Sequence, residues 1–252
     1  MINGINIKRV NFSYGNKKIL KNITLNINRG DFWGITGVNG SGKSTFSYLL
    51  NGLIPHSIQG KLEGEVVVDG INTKSKNVAF FSQKVGMVFQ NPDFSLFNLT
   101  VGEEISFGLK NLKRNNIENK IRESLKTVGM ESFKERDPQS LSFGEKQKIS
   151  LASIIALKSP YFVLDEPSAM LDYKSTVEIY RILKTLNNKG VTIIAIEHDT
   201  DFLWKYTNKV MILDHGEIII SGNSNHVFKN IPLLIKLGIR IPNYSEKGNN
   251  YL

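Results

Sequence analysis

The sequence predicts an α/β fold with a parallel central sheet, an N-terminal antiparallel β subdomain and an inserted α-helical subdomain. From Asp31 onwards, short apolar runs are each followed by glycine or by a helical pattern, which is typical of buried parallel strands. Before Asp31, apolar and polar residues alternate as they do in half-buried strands. Between residues 91 and 160 strand signals are absent, and apolar residues recur at helical spacing.

The composition is that of a globular protein, because 40% of the 252 residues are hydrophobic and 22% are charged. Cysteine is absent, which excludes disulfides and thiolate metal sites and leads us to expect a reducing compartment. No apolar run approaches the roughly 18 residues of a membrane-spanning helix, and the polar start does not resemble a signal peptide. The net charge of +9 comes without a nucleic-acid-binding motif, so it indicates a solvated surface.

The strands follow one another in a definite order. Apolar and polar residues alternate on both sides of a turn at Tyr14, Gly15 and Asn16, which indicates an antiparallel pair of N-terminal strands. At the other end of the series, Gly216 can supply the positive φ of a tight hairpin turn. Between them, the expected core strands are FWGIT, VGMVF, YFVLD and VTIIAI, and the closing hairpin is VMIL-DHG-EIII.

The strongest functional signal is a glycine-rich segment with the pattern G-x-x-x-x-G-K-[ST]. A match by chance in a chain of this length is expected only about 2% of the time, and here an apolar strand precedes the segment and a helical stretch follows it. Glycines allow backbone N–H groups to surround phosphates, Lys43 can reach the outer phosphates, and the Ser44 hydroxyl can hold Mg²⁺. The residues expected to contact a nucleotide here are Gly37, Val38, Asn39, Gly40, Ser41, Gly42, Lys43, Ser44 and Thr45.

Two carboxylates, Asp165 and Glu166, end the strand YFVLD. In a phosphate-loop NTPase, an aspartate at this place is a Mg²⁺ partner, and the adjacent acid can polarise the attacking water. Acids commonly end strands, so this signal is weak alone. Together with the phosphate loop, it predicts a nucleotide triphosphate site with an NTPase core.

Five further elements appear in the order seen in ATP-binding cassette (ABC) ATPases. They are Tyr14, Gln90, LSFGE from Leu141 to Glu145, SAMLD from Ser168 to Asp172, and His198. The chain therefore resembles an ABC ATPase from about residue 5 to about residue 225. We expect an ABC ATPase domain over residues 1–225, with the helical subdomain inserted at about 91–160, and a C-terminal tail over residues 226–252.

This resemblance implies ATP and Mg²⁺ as cofactors and a role for each element. Tyr14 would stack on adenine, Gln90 would contact Mg²⁺ and water, and His198 would bind the γ-phosphate and orient Glu166. The implied catalytic residues are Glu166, His198 and Gln90, and the implied metal ligands are Ser44, Gln90 and Asp165.

The LSFGE segment precedes a helix that we expect to begin near Lys146. Ser142 and the backbone around Gly144 would present the positive end of this helix to an anion, and Ser142 with Glu145 also fits a capping box. In the family, this segment binds the nucleotide held by the other subunit, so Ser142, Gly144 and Glu145 are candidate nucleotide contacts. The usual family sequence is LSGGQ, from which Phe143 and Glu145 depart, and Glu145 adds a negative charge near an anion site.

Residues 51–70 and 88–101 also resemble the ATPase subunits of energy-coupling factor transporters, which import vitamins and metal ions. This implies an ATP-hydrolysing translocase subunit on the cytoplasmic face of the cell membrane. Its partners would be a second ATPase subunit, identical or paralogous, a transmembrane coupling subunit and a substrate-binding membrane subunit, with no nucleic acid. Two alternatives stay open: the ATPase of another ABC transporter, and a soluble ABC ATPase that acts on nucleic acid or ribosomes.

An apolar-rich stretch follows Gln90, where the family resemblance implies the groove for the coupling helix of the transmembrane subunit. Large apolar residues are usually buried, so Phe94, Leu96 and Phe97 could belong to the core under the helical insertion. A docking role requires at least one of them to be exposed.

Overall fold

The computed structural model describes residues 3–246, and in them the predicted α/β architecture is present. The antiparallel sheet contains β1 (Gly4–Tyr14), β2 (Lys17–Asn28), β4 (Lys61–Val68) and β5 (Ile71–Asn72). The mostly parallel sheet contains β3 (Phe32–Thr36), β6 (Val85–Val88), β7 (Tyr161–Asp165), β8 (Thr192–Ile196), β9 (Lys209–Asp214) and β10 (Glu217–Asn223). The helices are α1 (Lys43–Leu50), α2 (Leu53–His56), α3 (Val78–Ser82), α4 (Val101–Asn111), α5 (Ile117–Val128), α6 (Phe143–Leu157), α7 (Tyr173–Asn188), α8 (Thr200–Tyr206), α9 (Ser224–Phe228) and α10 (Ile231–Lys236).

The N-terminal sheet has the strand order β2-β1-β4-β5, with all neighbours antiparallel. Alternation in β2 places Ile23, Leu25 and Ile27 in the core between the two sheets, as the sequence predicted. Strand β4 carries exposed charged residues in its first half, with a glycine at position 64. Its alternation is therefore weak, which is why sequence patterning alone did not predict it.

The second sheet has the order β10-β9-β3-β8-β7-β6 and is parallel except for the β9–β10 hairpin. Strands β3, β7 and β8 are buried at every residue, because helices α4 to α8 cover one face of the sheet and the antiparallel sheet with α1 covers the other. The carboxyl ends of parallel strands meet at one edge of the sheet. That edge receives the residues that follow β3, β6, β7 and β8.

The segment between β6 and β7 contains α4, α5 and α6 and no strand, as predicted for residues 91–160. Apolar residues of the three helices form one core, for example Leu109, Leu125 and Ile149. Helix α6 begins at Phe143, three residues before the expected start near Lys146. The reason is the capping box, in which Ser142 and Glu145 satisfy the first free N–H groups of the helix.

An ionic network joins the two sheets at Asp69. The Asp69 carboxylate accepts hydrogen bonds from the Tyr161 hydroxyl at 2.5 Å and from Arg29 at 2.6 Å, and Lys84 lies 3.3 Å away. Arg29 and Tyr161 lower the pKa of Asp69 to about 2, although burial opposes this shift. A turn of the antiparallel sheet is thereby fixed to the first residue of β7.

The C-terminal part of the described chain packs beside α8. Arg240 forms an ion pair with Asp201, and the Asn243 N–H donates to the same carboxylate at 2.6 Å. The Tyr244 hydroxyl donates to the carbonyl oxygen of Phe228 at 2.7 Å. The division at residues 225 and 226 stays a prediction, and no helix among residues 3–246 is long and apolar enough to span a membrane.

Candidate functional site

The phosphate-loop motif connects β3 to α1 at the carboxyl edge of the parallel sheet. The Lys43 ammonium donates to the carbonyl oxygens of Gly37 at 2.9 Å and Val38 at 3.0 Å, so the loop curves around its own lysine. Gly37 and Gly42 have φ angles of 152° and 105°, which favour glycine. Burial lowers the pKa of Lys43, while the carboxylates of Glu166 and Asp165 oppose that shift.

The end of the β9–β10 hairpin holds the phosphate loop in place. Gly216 donates its N–H to the Ser41 carbonyl oxygen at 3.0 Å and accepts from the Lys21 N–H at 2.8 Å. A Cβ atom on Gly37 would lie 2.0 Å from the carbonyl oxygen of Leu213, so only glycine fits there. The sequence pattern predicts a turn at Gly216, and nothing in it indicates this contact with the phosphate loop.

Asp165 fits the role of a Mg²⁺ partner. It hydrogen-bonds the Ser44 side chain, while its Oδ1 atom is buried without a hydrogen-bond partner in the described part of the chain. Burial raises the pKa of Asp165, and the Ser44 bond lowers it. Residues 3–246 contain no cluster of three or more His, Asp or Glu side chains arranged for a metal. Mg²⁺ is usually held by one or two protein groups together with substrate phosphates, and Ser44 with Asp165 is a pair of that kind.

Glu166 lies at the centre of the site, with both carboxylate oxygens engaged. Gln90 donates its Nε2 to one oxygen at 2.7 Å, and Nε2 of His198 lies 3.1 Å from the other. These three residues follow β6, β7 and β8, which are neighbours in the sheet. Glu166 itself has a φ of 51°, and such left-handed backbone at a non-glycine residue is concentrated at functional sites.

Ser142, Gly144 and Glu145 lie at the start of α6. In the described residues no hydrogen bond joins them to the phosphate loop; Glu145 instead accepts from the Ser142 N–H and hydroxyl, both at 2.8 Å. These bonds lower the pKa of Glu145. A Cβ on Gly144 would lie 3.1 Å from the Ser175 hydroxyl, a tight contact.

Tyr14 ends β1 and is partly exposed. Its ring packs edge-to-face on Phe12, with a centroid distance of 4.8 Å, and this contact leaves an aromatic ring at the surface beside the start of β2. The structure thus brings together the phosphate loop, Gln90, Asp165, Glu166 and His198. The nucleotide roles of Tyr14, Ser142, Gly144 and Glu145 stay predictions.

Four large apolar side chains between residues 94 and 107 are exposed and form what we call the apolar patch. Phe94, Phe97, Leu99 and Phe107 are 89%, 64%, 81% and 44% exposed. By contrast, Leu96 is buried in the core of the helical segment. Glu104 fixes the backbone here, because its carboxylate accepts from the N–H groups of Phe97 and Asn98, each at 3.0 Å. Leu96 therefore belongs to the core, as one of the two alternatives expected. Phe94 and Phe97 are exposed, as the docking alternative requires.

Glu197 is a buried carboxyl group of this region and was not among the predicted site residues. It lies between Ile196, the last residue of β8, and His198, and one of its oxygens accepts from the Ser168 N–H at 3.1 Å. An acidic residue that interrupts an apolar strand end was the signal available in the sequence.

Comparison with known proteins gives one consistent result. The family model of ABC transporters matches residues 20–169. A protein of Pyrococcus abyssi, provisionally described as an ABC transporter ATP-binding protein, is 45% identical over 98% of this chain and 90% of its own length. The energy-coupling factor transporter ATP-binding protein EcfA1 of Fusobacterium nucleatum is 39% identical, over 97% of this chain and 91% of its own length.

Solved structures agree with these relatives. The structure of cbiO1 from Clostridium perfringens, part of the ABC transporter complex cbiONQ, superposes with a TM-score of 0.80 at 31% identity, covering 94% of this chain and 95% of that one. A dimeric ATP-binding cassette in a post-hydrolysis state with ADP and Pi has a TM-score of 0.76 at 29% identity, covering 87% of this chain and 98% of that one.

Proposed function

The chain belongs to the ABC transporter family and is a transporter ATPase, and from this premise we propose that it energises an importer of the energy-coupling factor type. The observation that carries the chemistry is the Glu166 carboxylate, held between Gln90 and His198 next to the buried Asp165. A carboxylate with both oxygens oriented beside a phosphate loop is suited to act on water.

Glu166 is the proposed general base. As a water oxygen attacks the γ-phosphorus, the bond to the β–γ bridging oxygen breaks, its electron pair stays on ADP, and Glu166 takes a proton from the water. Gln90 and His198 orient this carboxylate, and Lys43 binds the outer phosphates. Mg²⁺ held by Ser44, Asp165 and Gln90 would supply neutralisation of the phosphate charge.

We place a second ATPase subunit over the SAMLD loop. Met170 in this loop is 77% exposed, and Tyr173 after it is also exposed, so a partner surface is available beside Glu166. Ser142, Gly144 and Glu145 of one subunit would close on the nucleotide held by the phosphate loop of the other, with Tyr14 against its adenine. The arrangement requires two chains for each closed site.

The importer class is supported by the EcfA1 relative, by the cbiO1 structure and by the apolar patch. An exposed apolar patch on a protein of this kind marks an interaction surface. We propose that the patch receives a transmembrane coupling subunit, which would place the chain on the cytoplasmic face of the membrane. A further membrane subunit would select the vitamin or metal ion.

A second candidate is the ATPase of an ABC transporter outside the energy-coupling factor class. It is favoured by the Pyrococcus abyssi relative, whose description names no such class and whose identity, 45%, is higher than that of EcfA1. Purifying the chain with its membrane partners and identifying them by mass spectrometry separates the two. A small substrate-binding membrane subunit in the complex supports the first candidate, and its absence supports the second.

The ATPase mechanism is tested by Glu166→Gln, which keeps the size of the side chain and removes its basicity. We expect the turnover rate to fall by about 10² to 10⁴, while ATP stabilises a dimer that light scattering detects. Glu63→Gln, at an exposed glutamate paired with Lys61, is the control and should leave both properties unchanged. Turnover by Glu166→Gln at the rate of the unmodified chain would assign the base to another group.

A further inference from the structure

Glu197 is a buried acidic residue for which the proposed hydrolysis gives no role. It is 3% exposed and directly precedes His198. Burial raises its pKa to about 7, and the charge of Glu166 acts in the same direction. Burial of an ionisable group costs free energy unless partners compensate, so its contacts are informative.

The contacts of Glu197 lead to the SAMLD loop. Its Oε1 accepts the Ser168 N–H at 3.1 Å, and the contacts with Ser168 lower its pKa against the effect of burial. The Tyr180 hydroxyl of α7 lies nearby and acts in the same direction as Ser168. Ser168 is the first residue of the loop and lies 29 positions away in sequence. A side chain beside His198 therefore holds the start of the loop.

The loop is fixed at both ends and exposed in the middle. At its start, the Ala169 N–H donates to the Glu166 carbonyl oxygen at 3.0 Å. At its end, Asp172 caps α7 by accepting the Ser175 N–H at 2.7 Å. Between them Met170 points to solvent and has a φ of 62°. Movement at Ser168 would therefore change the surface offered by Met170.

We propose that Glu197 is a positioning residue that couples the nucleotide site to the SAMLD loop through its hydrogen bond with Ser168. This inference rests on the proposed ATPase function. Glu197 and His198 are consecutive, and the Glu166 N–H donates to the Ile196 carbonyl oxygen at 3.0 Å. When the γ-phosphate draws His198 towards it, the Glu197 carboxyl moves with the same backbone, and Ser168 follows. The state of the nucleotide is thereby transmitted to the surface that faces the second subunit.

The test compares Glu197→Leu, which removes the acceptor at similar volume, with Glu197→Gln, which keeps one. In Glu197→Leu we expect kcat to fall about tenfold or more, because the Ser168 N–H loses its partner. Hydrogen exchange of residues 167–172 should become faster, and the lone chain should bind ATP within about twofold of normal, because Lys43 and its loop are untouched. Glu197→Gln should restore kcat and loop protection to within about threefold.

Tyr180→Phe is the matched control, since it removes the other polar neighbour of Glu197 and leaves Ser168 alone. It should retain kcat and loop protection, even where it lowers the melting temperature as much as Glu197→Leu does. If Glu197→Leu does not fold, Glu197→Ala is measured in the same way, because a smaller side chain cannot overpack the site.

The proposal is overturned if a folded Glu197 variant without an acceptor keeps normal kcat and normal exchange in residues 167–172, or if Glu197→Gln fails as badly as Glu197→Leu. Failure of the proposed function looks different. In that case the unmodified chain does not hydrolyse ATP. Hydrogen exchange of residues 167–172 still depends on Glu197, so it tests the hydrogen bond independently of ATP hydrolysis.

Discussion

At the scale of the residue, Asp69 shows how one carboxylate can fix two sheets. Its oxygens meet Arg29, Lys84 and the Tyr161 hydroxyl, and the Gly4 N–H adds a further bond at 3.2 Å. Burial and, after it, the bond to Asp69 raise the pKa of Tyr161 to about 12, while Arg29 acts in the opposite direction. A network in which every polar group has a partner stabilises the folded protein. Removing one partner lowers that stability, because it leaves another group buried without a hydrogen bond.

Asp69→Asn should destabilise the protein at neutral pH by about 1–2 kcal/mol, a value that allows for solvent screening of Arg29. The pKa of Asp69 is about 2 in the folded protein, below its usual 3.8. Its contribution is therefore complete above about pH 4 and is lost as the pH falls towards 2. Urea unfolding of the two proteins between pH 7 and pH 3 should show their difference shrinking as the pH falls.

Glu217→Gln is the control for this measurement. Glu217 lies 3.9 Å from Lys21 on an exposed surface, where ion pairs contribute little. It should change stability by less than about 0.5 kcal/mol at every pH. A difference for Asp69→Asn that stays constant down to pH 3 would contradict the assignment of the ion pairs.

Single residues also show what sequence reasoning can reach. Lys43 and Asp165 were predicted because a local motif and a strand end define their surroundings. Glu197 was missed because its partner, Ser168, lies far away in sequence, and only the packing of β8 against the SAMLD loop brings them together. Long-range contacts of this kind leave no periodic signal.

At the scale of the element, the segment from Phe94 to Phe107 presents apolar side chains that the core does not use. Phe97 and Phe107 pack edge-to-face at 5.0 Å, so the exposed rings support each other. Two backbone N–H groups bound by Glu104 hold the segment in this shape. A shaped apolar surface is ready for a partner without a large ordering cost.

Phe97→Ala should spare the fold and weaken attachment to the membrane partner. Truncation of an aromatic anchor in an interface commonly costs about 2 kcal/mol, a loss of affinity of roughly thirtyfold. The exposed ring contributes only about 1 kcal/mol or less to folding. Sedimentation with proteoliposomes that contain the co-purified membrane subunits measures the attachment, and urea unfolding measures the stability.

Leu96→Ala is the opposite case one residue earlier. Leu96 is buried, so its truncation should cost about 2–5 kcal/mol of stability, while the protein that stays folded should bind the membrane subunits normally. The groove assignment is wrong if Phe97→Ala lowers the melting temperature by several degrees and leaves attachment intact.

The elements were largely predictable where burial was uniform or alternation strict. The apolar runs predicted strands β3, β7 and β8, and the helical spacing of apolar residues predicted the helices of residues 91–160. The start of α6 was displaced because the capping box, rather than the first helical spacing, sets it. Strand β4 was missed because its exposed charges hide the alternation.

At the scale of the whole molecule, the proposed function requires two groups of residues that no hydrogen bond joins within the described part of one chain. Gln90, Glu166 and His198 meet in the structure, while Ser142 and Glu145 bond each other at the start of α6. The proposed dimer supplies the missing half from a second copy or a paralogue. The sequence contains both the phosphate-loop cluster and the LSFGE segment. The order of residues alone does not predict whether these two groups meet within one chain.

Activity should therefore depend on protein concentration. A chain that needs a second copy hydrolyses poorly when dilute, so the rate per chain should rise with concentration and then level off. A phosphate-release assay over a range of concentrations, with light scattering in parallel, should show the rate following the dimer fraction. A rate per chain that stays flat while the monomer dominates would show that one chain is sufficient.

The contact between Gly216 and the phosphate loop also sets the order in which parts of the site can form during synthesis. The loop leaves the ribosome roughly 170 residues before the hairpin that holds it, a delay of roughly 10–30 s at about 5–20 residues per second. A nascent chain that stops before Leu213 contains the whole glycine-rich motif, yet its Ser41 carbonyl has no Gly216 N–H to meet. The motif is local in sequence, but the contact that holds its loop forms only after the β9–β10 hairpin has been synthesised.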